Sequence, residues 1–440
     1  MSFLYKIAFH AKNMNAVRRT CIGTFILMTS YMIHAEEPVL IFGQTLQKIR
    51  DYQQPDIWNN QENIAKLAIK NSRVWDNPTL SIQQTGFNRG QENSSEILLT
   101  QPIDLFGEKR KAGHLSELQL QQVVLNKEAY QVQQFLAVKY FWMQILFLEQ
   151  EVFILKKQFE VSQANLQAAS SRLEAGSISK VDLERIAVAN LDLESSYTQK
   201  NVELSILENK FSKLWGGKES TFHLKDVSDE SWQQYAQNTS LMNVYESTMQ
   251  LQKQQFEAQL DYLKAQAKPK PTVTLGIVKT QAESNQASDQ QLRIGLEVPL
   301  NIFNRGQYSR QVEEIKLKLI AQERMRYQRE QPNDIRTLDA EIKLLGHQLN
   351  ILTQQQIPLS ESIQSKIFIG FKAGKYAVTD IQLATSELQQ RQLQAVEMRR
   401  NIFQKNMQLD CLRLGIDSEA ILNVDAIQQL NKSLALGMSN

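Results

Sequence analysis

Cysteine, histidine and proline are all scarce in these 440 residues, and each scarcity excludes something. Of two cysteines, Cys21 lies in an N-terminal stretch that reads as a leader, so Cys411 is left alone and no intrachain disulfide is expected. Cys21 follows Arg18, Arg19 and Thr20, not the small and aliphatic residues that precede a lipidated cysteine. Beyond the leader the only histidines are His114, His223 and His347, and no two share a ligand spacing such as i, i+4. No Cys-x-x-Cys exists, and the methionines are scattered like core gap-fillers, so neither a metal site nor a cofactor site is expected. A phosphate loop, a nucleophile elbow and paired carboxylates are missing too, which argues against an enzyme. No run of about 18 apolar residues occurs outside the leader, so no transmembrane helix is expected. The richest stretch, Phe135 to Leu155, is broken by Lys139, Gln144, Glu149, Gln150 and Glu151 and reads as a buried helix.

Residues 1–35 have the layout of a secretory signal. Lys6, Lys12, Arg18 and Arg19 make a basic start, Thr20 to Ile33 a short apolar core, and His34-Ala35 before Glu36-Glu37 a cleavage-like end. A start at Met14 would give a more ordinary leader, and a membrane anchor is the alternative reading, disfavoured by the short apolar core. Removing those four basic residues from 49 leaves 45 against 47 acidic ones, a charge of about −2. With no concentrated basic face, nucleic acid is not an expected partner.

What is present is a duplication. Asn77-Pro78-Thr79-Leu80-Ser81 returns as Lys270-Pro271-Thr272-Val273-Thr274, and Gln101-Pro102-Ile103-Asp104-Leu105-Phe106 as Val298-Pro299-Leu300-Asn301-Ile302-Phe303. Glu174-Ala175-Gly176 followed by Asp182 returns as Lys372-Ala373-Gly374 followed by Asp380. The offsets run 193, 197, 198 and 198, so one order of markers is written twice, over about 36–215 and 240–415, with 416–440 as a tail.

Each copy opens on a hairpin. Leu292, Ile294, Leu296 and Val298 alternate with Arg293, Gly295 and Glu297, the period of a strand with one apolar face. Val273, Leu275 and Ile277 do the same, and Leu80, Ile82, Ile97 and Leu99 repeat it more roughly. Strands are expected near 79–86, 95–102, 272–279 and 291–298, with polar loops between them and Pro102 and Pro299 as terminators. A long helix follows each hairpin. From Gly107 to Ala175 there is no proline and one interior glycine, a span of roughly 100 Å as helix. In the second copy Ile335, Leu338, Ile342, Leu345, Leu349 and Leu352 recur at three and four, a heptad seam. Pro332 and Pro358 are expected to mark kinks or helix starts there. Gly176 and Gly374 end the long helices, and Val181 to Leu214 and Val378 to Leu414 return.

Strands of about ten residues with one apolar face suit an outer-membrane barrel, yet four of them cannot close one with a usable lumen. Several chains must contribute, and three would give twelve strands. The fold class expected is α+β: a transmembrane β-barrel from two hairpins per chain in a trimer, joined to a long α-helical coiled-coil barrel. The competing soluble coiled-coil scaffold leaves the hairpins and the leader unexplained.

The segment Leu99-Thr-Gln-Pro-Ile-Asp-Leu-Phe-Gly-Glu-Lys-Arg110 resembles the strand-to-helix junction of the TolC-type outer-membrane efflux family, in its cobalt–zinc–cadmium (CzcC-like) branch. Val298-Pro-Leu-Asn-Ile-Phe-Asn-Arg-Gly-Gln307 resembles the same junction in the second repeat, and the likeness runs from about residue 40 to 415. The resemblance implies a homotrimer in the outer membrane with a periplasmic tunnel. Its implied partners are a periplasmic adaptor protein and an inner-membrane RND-type pump, and its implied cargo is divalent cobalt, zinc or cadmium. Export of drugs or other organic compounds is the alternative within the family. It also implies adaptor contact at the turns Ala175, Gly176, Ala373 and Gly374, which otherwise read as plain C-caps. Asp380, and more weakly Asp182, match a periplasmic gate position; Leu383 stands where a second gate acid would be. The plain alternative for both is a carboxylate stabilising a helix N-terminus. By strand alternation Arg293 and Glu297 face the barrel lumen, where they solvate a wet pore.

Overall fold

The computed structural model describes residues 39–53, 56–86, 93–217, 222–225, 243–281 and 289–436. The expected leader, and most of both hairpin loops, lie outside them. In chain order the first half runs β1 (Val39–Leu40), α1 (Phe42–Gln53), α2 (Ile57–Ser72), β2 (Thr79–Thr85), β3 (Asn93–Pro102), α3 (Glu108–Glu174) and α4 (Lys180–Ser212). The second runs β4 (His223–Leu224), α5 (Val244–Gln266), β5 (Thr272–Gln281), β6 (Asp289–Glu297), α6 (Gln307–Ile351), a π-helical turn (Leu352–Gln356), α7 (Ile357–Lys372), α8 (Val378–Leu414) and α9 (Ala426–Leu436).

The duplication is visible as length. The helix α3 has 67 residues, about 100 Å at 1.5 Å each, and the unbroken helical stretch from Gln307 to Lys372 nearly equals it. Neither proline ends that stretch. Pro332 sits inside α6, and Pro358 lies in the first turn of α7, where a missing N–H costs least. The chain absorbs Pro358 by widening to a π turn just before it, with the Ile357 N–H bonded back to the Leu352 carbonyl. Leu352, the last residue of the heptad seam, is fully buried there, while the residues between seam positions are mostly exposed.

Four strands form one antiparallel sheet in the order β2-β3-β5-β6. Its register aligns the apolar residues into rows: Ile82, Ile97, Ile277 and Leu292 in one, Leu80, Leu99, Leu275 and Ile294 in the next. All eight are exposed, Ile82 and Leu292 at 74%. The opposite face carries Arg293, whose Nη1 lies 2.9 Å from Glu96 Oε2, and a 3.0 Å hydroxyl contact between Thr100 and Thr274. The outer strands β2 and β6 have no further partner among the described residues.

The main core lies at mid-length of the helices, far along the chain from the sheet. Phe42 sits edge-on to Phe135 (5.9 Å) and Trp142 (5.4 Å), and Phe211 packs edge-on to Phe141 (4.9 Å). The stretch around 135–148 is thus a buried helix segment, as its broken apolar run suggests. The segment set apart as a tail joins this core, for Ile416, Ile421, Ala426 and Ile427 are all buried in it. It is short and its apolar residues are irregularly spaced, so no periodicity marks it. Among the described residues no helix is long and apolar enough to cross a membrane.

Candidate functional site

Two surfaces stand out at opposite ends of the long helices: the paired turns and the exposed sheet. At the turns, α3 and α7 end in the same way. Gly176 (φ +69) donates to the Leu173 carbonyl and Ser177 to Arg172, while Gly374 (φ +77) donates to Phe371 and Lys375 to Gly370. This is the 5→2 and 6→1 pattern of a Schellman cap, and its positive φ is why glycine occupies both places. A Cβ added at either glycine would meet nothing within 4 Å, so both backbones face open space. Ala175 and Ala373 precede them, also exposed.

The structure brings the two turns together at one end. Arg172 Nη1 donates to the carbonyls of Phe371 and Tyr376, at 3.1 Å each, and its guanidinium lies 4.5 Å from the Phe371 ring centre. Tyr376 in turn lies so close over Gly370 that a Cβ there would come within 2.4 Å of its ring. Beneath them Ala169, Ile186, Phe371, Val378 and Ile381 form a separate apolar cluster. Sequence reasoning found the glycines but missed Arg172, Gly370 and Tyr376. A single Gly inside an otherwise apolar helix end, six residues before an aromatic, is a signal that could have found Gly370 and Tyr376; Arg172 carries none.

The two gate candidates differ. Asp182 closes a full capping box: Ser179 Oγ accepts from the Asp182 N–H (3.1 Å) and donates to Asp182 Oδ2 (2.8 Å), which also takes the Ser179 N–H (3.3 Å). The Ser179 hydroxyl first, and its backbone N–H second, hold the Asp182 carboxyl below the usual range. Asp380 has only half of this arrangement. Its Oδ2 accepts the Ala377 N–H at 2.8 Å, but alanine offers no hydroxyl, so that oxygen gains no second capping bond and the Asp380 N–H has no side-chain acceptor at the cap. Leu383, one turn on, is exposed.

At the other end, Arg293 and Glu297 both lie on the face opposite the aliphatic rows. Glu96, which sequence reasoning passed over, joins Arg293 in an exposed ion pair. At the first strand-to-helix junction Asp104 Oδ1 and Oδ2 accept the N–H groups of Glu108 and Lys109, capping α3 from outside, and Lys109 Nζ pairs with Asp76 at 2.7 Å. Among the described residues no group of three or more His, Cys, Asp or Glu is placed to hold a metal ion.

No protein-family model matches the chain. A cobalt-zinc-cadmium resistance protein, CzcC of Cupriavidus metallidurans, is 25% identical over 345 residues, covering 71% of this chain and 75% of its own. Among solved structures, that of CusC, described in terms of transmembrane channel formation, superposes with a TM-score of 0.66 at 13% identity, covering 86% of this chain and 92% of CusC. The outer membrane protein VceC of Vibrio cholerae gives 0.66 at 12% identity, covering 86% and 96%. The fold is therefore that of these outer-membrane proteins, and the resemblance drawn from the junction motifs holds.

Proposed function

We propose that three copies of this chain form the outer-membrane exit duct of a tripartite efflux pump that expels divalent heavy-metal cations such as cobalt, zinc and cadmium. The observation that carries this is the four-stranded sheet. One face holds two full rows of exposed aliphatic residues, the other is largely polar, and among the described residues both edge strands lack partners. In hydrocarbon an unpaired edge costs several kcal/mol per backbone group, so only a closed barrel is tolerated, and closure needs further copies. Twelve strands enclose a lumen; four do not.

The helices continue that lumen as a periplasmic tunnel ending at the paired turns. There the periplasmic adaptor docks on Ala175, Gly176, Ala373 and Gly374, where bare backbone permits close helix packing. The adaptor links the duct to an inner-membrane RND-type pump, where the cation is selected, and this chain is a passive conduit and not an enzyme. Three copies of Asp380 narrow the entrance and favour cations, with Asp182 in a lesser role because its carboxylate is engaged by Ser179. Arg293 and Glu297 line the wet barrel.

Light scattering of the detergent-solubilised protein should give the mass of a trimer, and a monodisperse monomer stable in membranes would overturn the proposal. Deleting the gene should sensitise cells to zinc, cadmium or cobalt more than to detergents or dyes. The reverse ranking would assign the duct to organic compounds.

A further inference from the structure

The two strand-to-helix junctions align but for a two-residue insertion in the second, and their charges differ. In the first, three carboxylates offset the basic residues: Asp76 pairs with Lys109, Asp104 caps the helix, and Glu108 lies 2.6 Å from Lys270. In the second, the aligned positions are Pro269, Asn301 and Gln307, so all three acids are gone. Of the bases Lys109, Arg110 and Lys111, the last alone keeps a basic counterpart, Arg310; Tyr308 and Ser309 replace the other two, and an Asn304-Arg305 insertion adds a second cation.

These cations converge on an open pocket of about 630 Å³ between the end of α5 and the loop after β6, lined by Lys264, Lys268, Arg305 and Arg310. Lys264 pairs with Asp261 at 3.2 Å. Among the described residues no ion pair engages Lys268, Arg305 or Arg310; the two arginines only donate to the carbonyls of Ile302, Gly306 and Arg305. The pocket's other wall is apolar. Leu300 and Ile302 extend the stripe of Leu292, Ile294, Leu296 and Val298 beyond the strand, and Phe303 next to them is 91% exposed.

We propose that this pocket binds the headgroup phosphate of an anionic phospholipid in the inner leaflet of the outer membrane. The inference rests on the reading of the sheet as membrane wall. A nine-residue strand, tilted by about 45°, spans roughly 20 Å, which matches the apolar band of an outer-membrane barrel. The pocket lies where that band ends and the long helices begin, at headgroup depth, with apolar residues for the acyl chain and uncompensated cations for the phosphate. A cationic pocket against a lipid-facing stripe suits an anionic lipid better than a zwitterionic one, whose own ammonium would meet the same four cations.

The test is native mass spectrometry of the purified trimer titrated with phosphatidylglycerol, phosphatidylcholine or inorganic phosphate. Wild-type protein should retain phosphatidylglycerol in preference to phosphatidylcholine. The triple variant Lys268→Gln, Arg305→Gln, Arg310→Gln should lose about tenfold or more in that retention while staying trimeric. Lys109→Gln with Arg110→Gln, at the charge-compensated first junction, should retain lipid like wild type. Equal retention by the triple variant, no preference between the two lipids, or displacement of the lipid by millimolar inorganic phosphate would overturn the proposal. So would dissociation of the triple variant into monomers, which would assign the pocket to a neighbouring copy. Failure of the wild-type chain itself to trimerise would instead overturn the channel reading beneath it.

Discussion

Replacing Arg172 by alanine should loosen the tip at which the two turns meet. This side chain ties the end of the first long helix to the turn of the second copy through two carbonyls and one ring. A charged donor to a buried carbonyl contributes about 1.5–3 kcal/mol, but Arg172 is half-exposed and solvent reduces this to about 1 kcal/mol per bond. The ring contact adds about 0.5 kcal/mol at such a site. The loss per protomer is then about 2 kcal/mol after the freed carbonyls rehydrate, which shifts the ratio of docked to undocked turns by about 30-fold. The tip itself should stay folded, because Phe371 is buried in its own apolar cluster and both Schellman caps are independent of Arg172. In planar bilayers the Arg172→Ala trimer should spend more time in high-conductance states, and its turns should be cut faster by protease. Wild-type conductance and wild-type cutting, in a trimer of normal abundance, would refute the idea that this contact couples the two copies.

Gly176→Glu with Gly374→Glu should abolish export; each change strains a positive-φ cap by about 1–2 kcal/mol but meets no atom within 4 Å, so an abundant trimer should remain, and wild-type metal resistance would show that the turns are only caps. Asp380→Asn should lower cation selectivity and weaken block by multivalent cations, and Asp182→Asn should do less; equal effects would remove the distinction drawn from their capping partners. Cys411 is fully buried and its thiol is pushed up to about 12, by burial first and by Asp410 second. Below the ordinary thiol pKa of about 8.5 both folded and unfolded chains are protonated, so its contribution to stability is intact there and is lost only as pH rises from about 8.5 towards 12. At pH 8 its reaction with a maleimide should be about a thousandfold slower than in denaturant; comparable rates would refute the burial.

Much of the architecture could be read from the chain because both of its periodicities are clean. Leu292 to Val298 alternates over a surface with one wet and one apolar side, and that alternation is the cross-strand row seen in the sheet. The first long helix is legible from what it omits, since a proline-free run with one glycine has little means of ending. The π turn was not legible, because Pro358 permits a kink, a start or a widened turn and neighbouring packing decides among them. Nor was the contribution of residues 416–436 to the core, which depends on four apolar residues meeting α1 and α3 from far away in sequence. Arg172 shows the same limit at the tip. A long cation near a helix end is ordinarily solvated, and only the meeting of two turns about 200 residues apart gives it carbonyls to bind.

Duplication also constrains what the chain does with its own copies. The seam between β3 and β5 joins the two repeats within one chain, pairing Thr100 with Thr274 and Leu99 with Leu275. If the barrel closes with quasi-equivalent joints, the seam between chains should repeat it, with β6 in the place of β3 and β2 of the next copy in the place of β5. The repeat offsets carry Thr100 to Glu297 and Thr274 to Ser81, and they carry Leu99 to Leu296 and Leu275 to Ile82. This register keeps aliphatic residues opposite one another on the lipid side and polar ones in the lumen. A slip of one residue would turn one strand's aliphatic side to the other face, whereas a slip of two keeps the faces and would pair Leu296 with Leu80 or Gln84 in place of Ile82. Directly opposed residues sit about 4.5–5.5 Å apart at Cα, inside the range a disulfide bridges. Glu297→Cys with Ser81→Cys should therefore yield covalent dimers and trimers on oxidation, on the lumen side where oxidant has access. Cross-linking that favours Thr79 or Gln83 over Ser81 as the partner position would show that the joint between chains does not copy the joint within one.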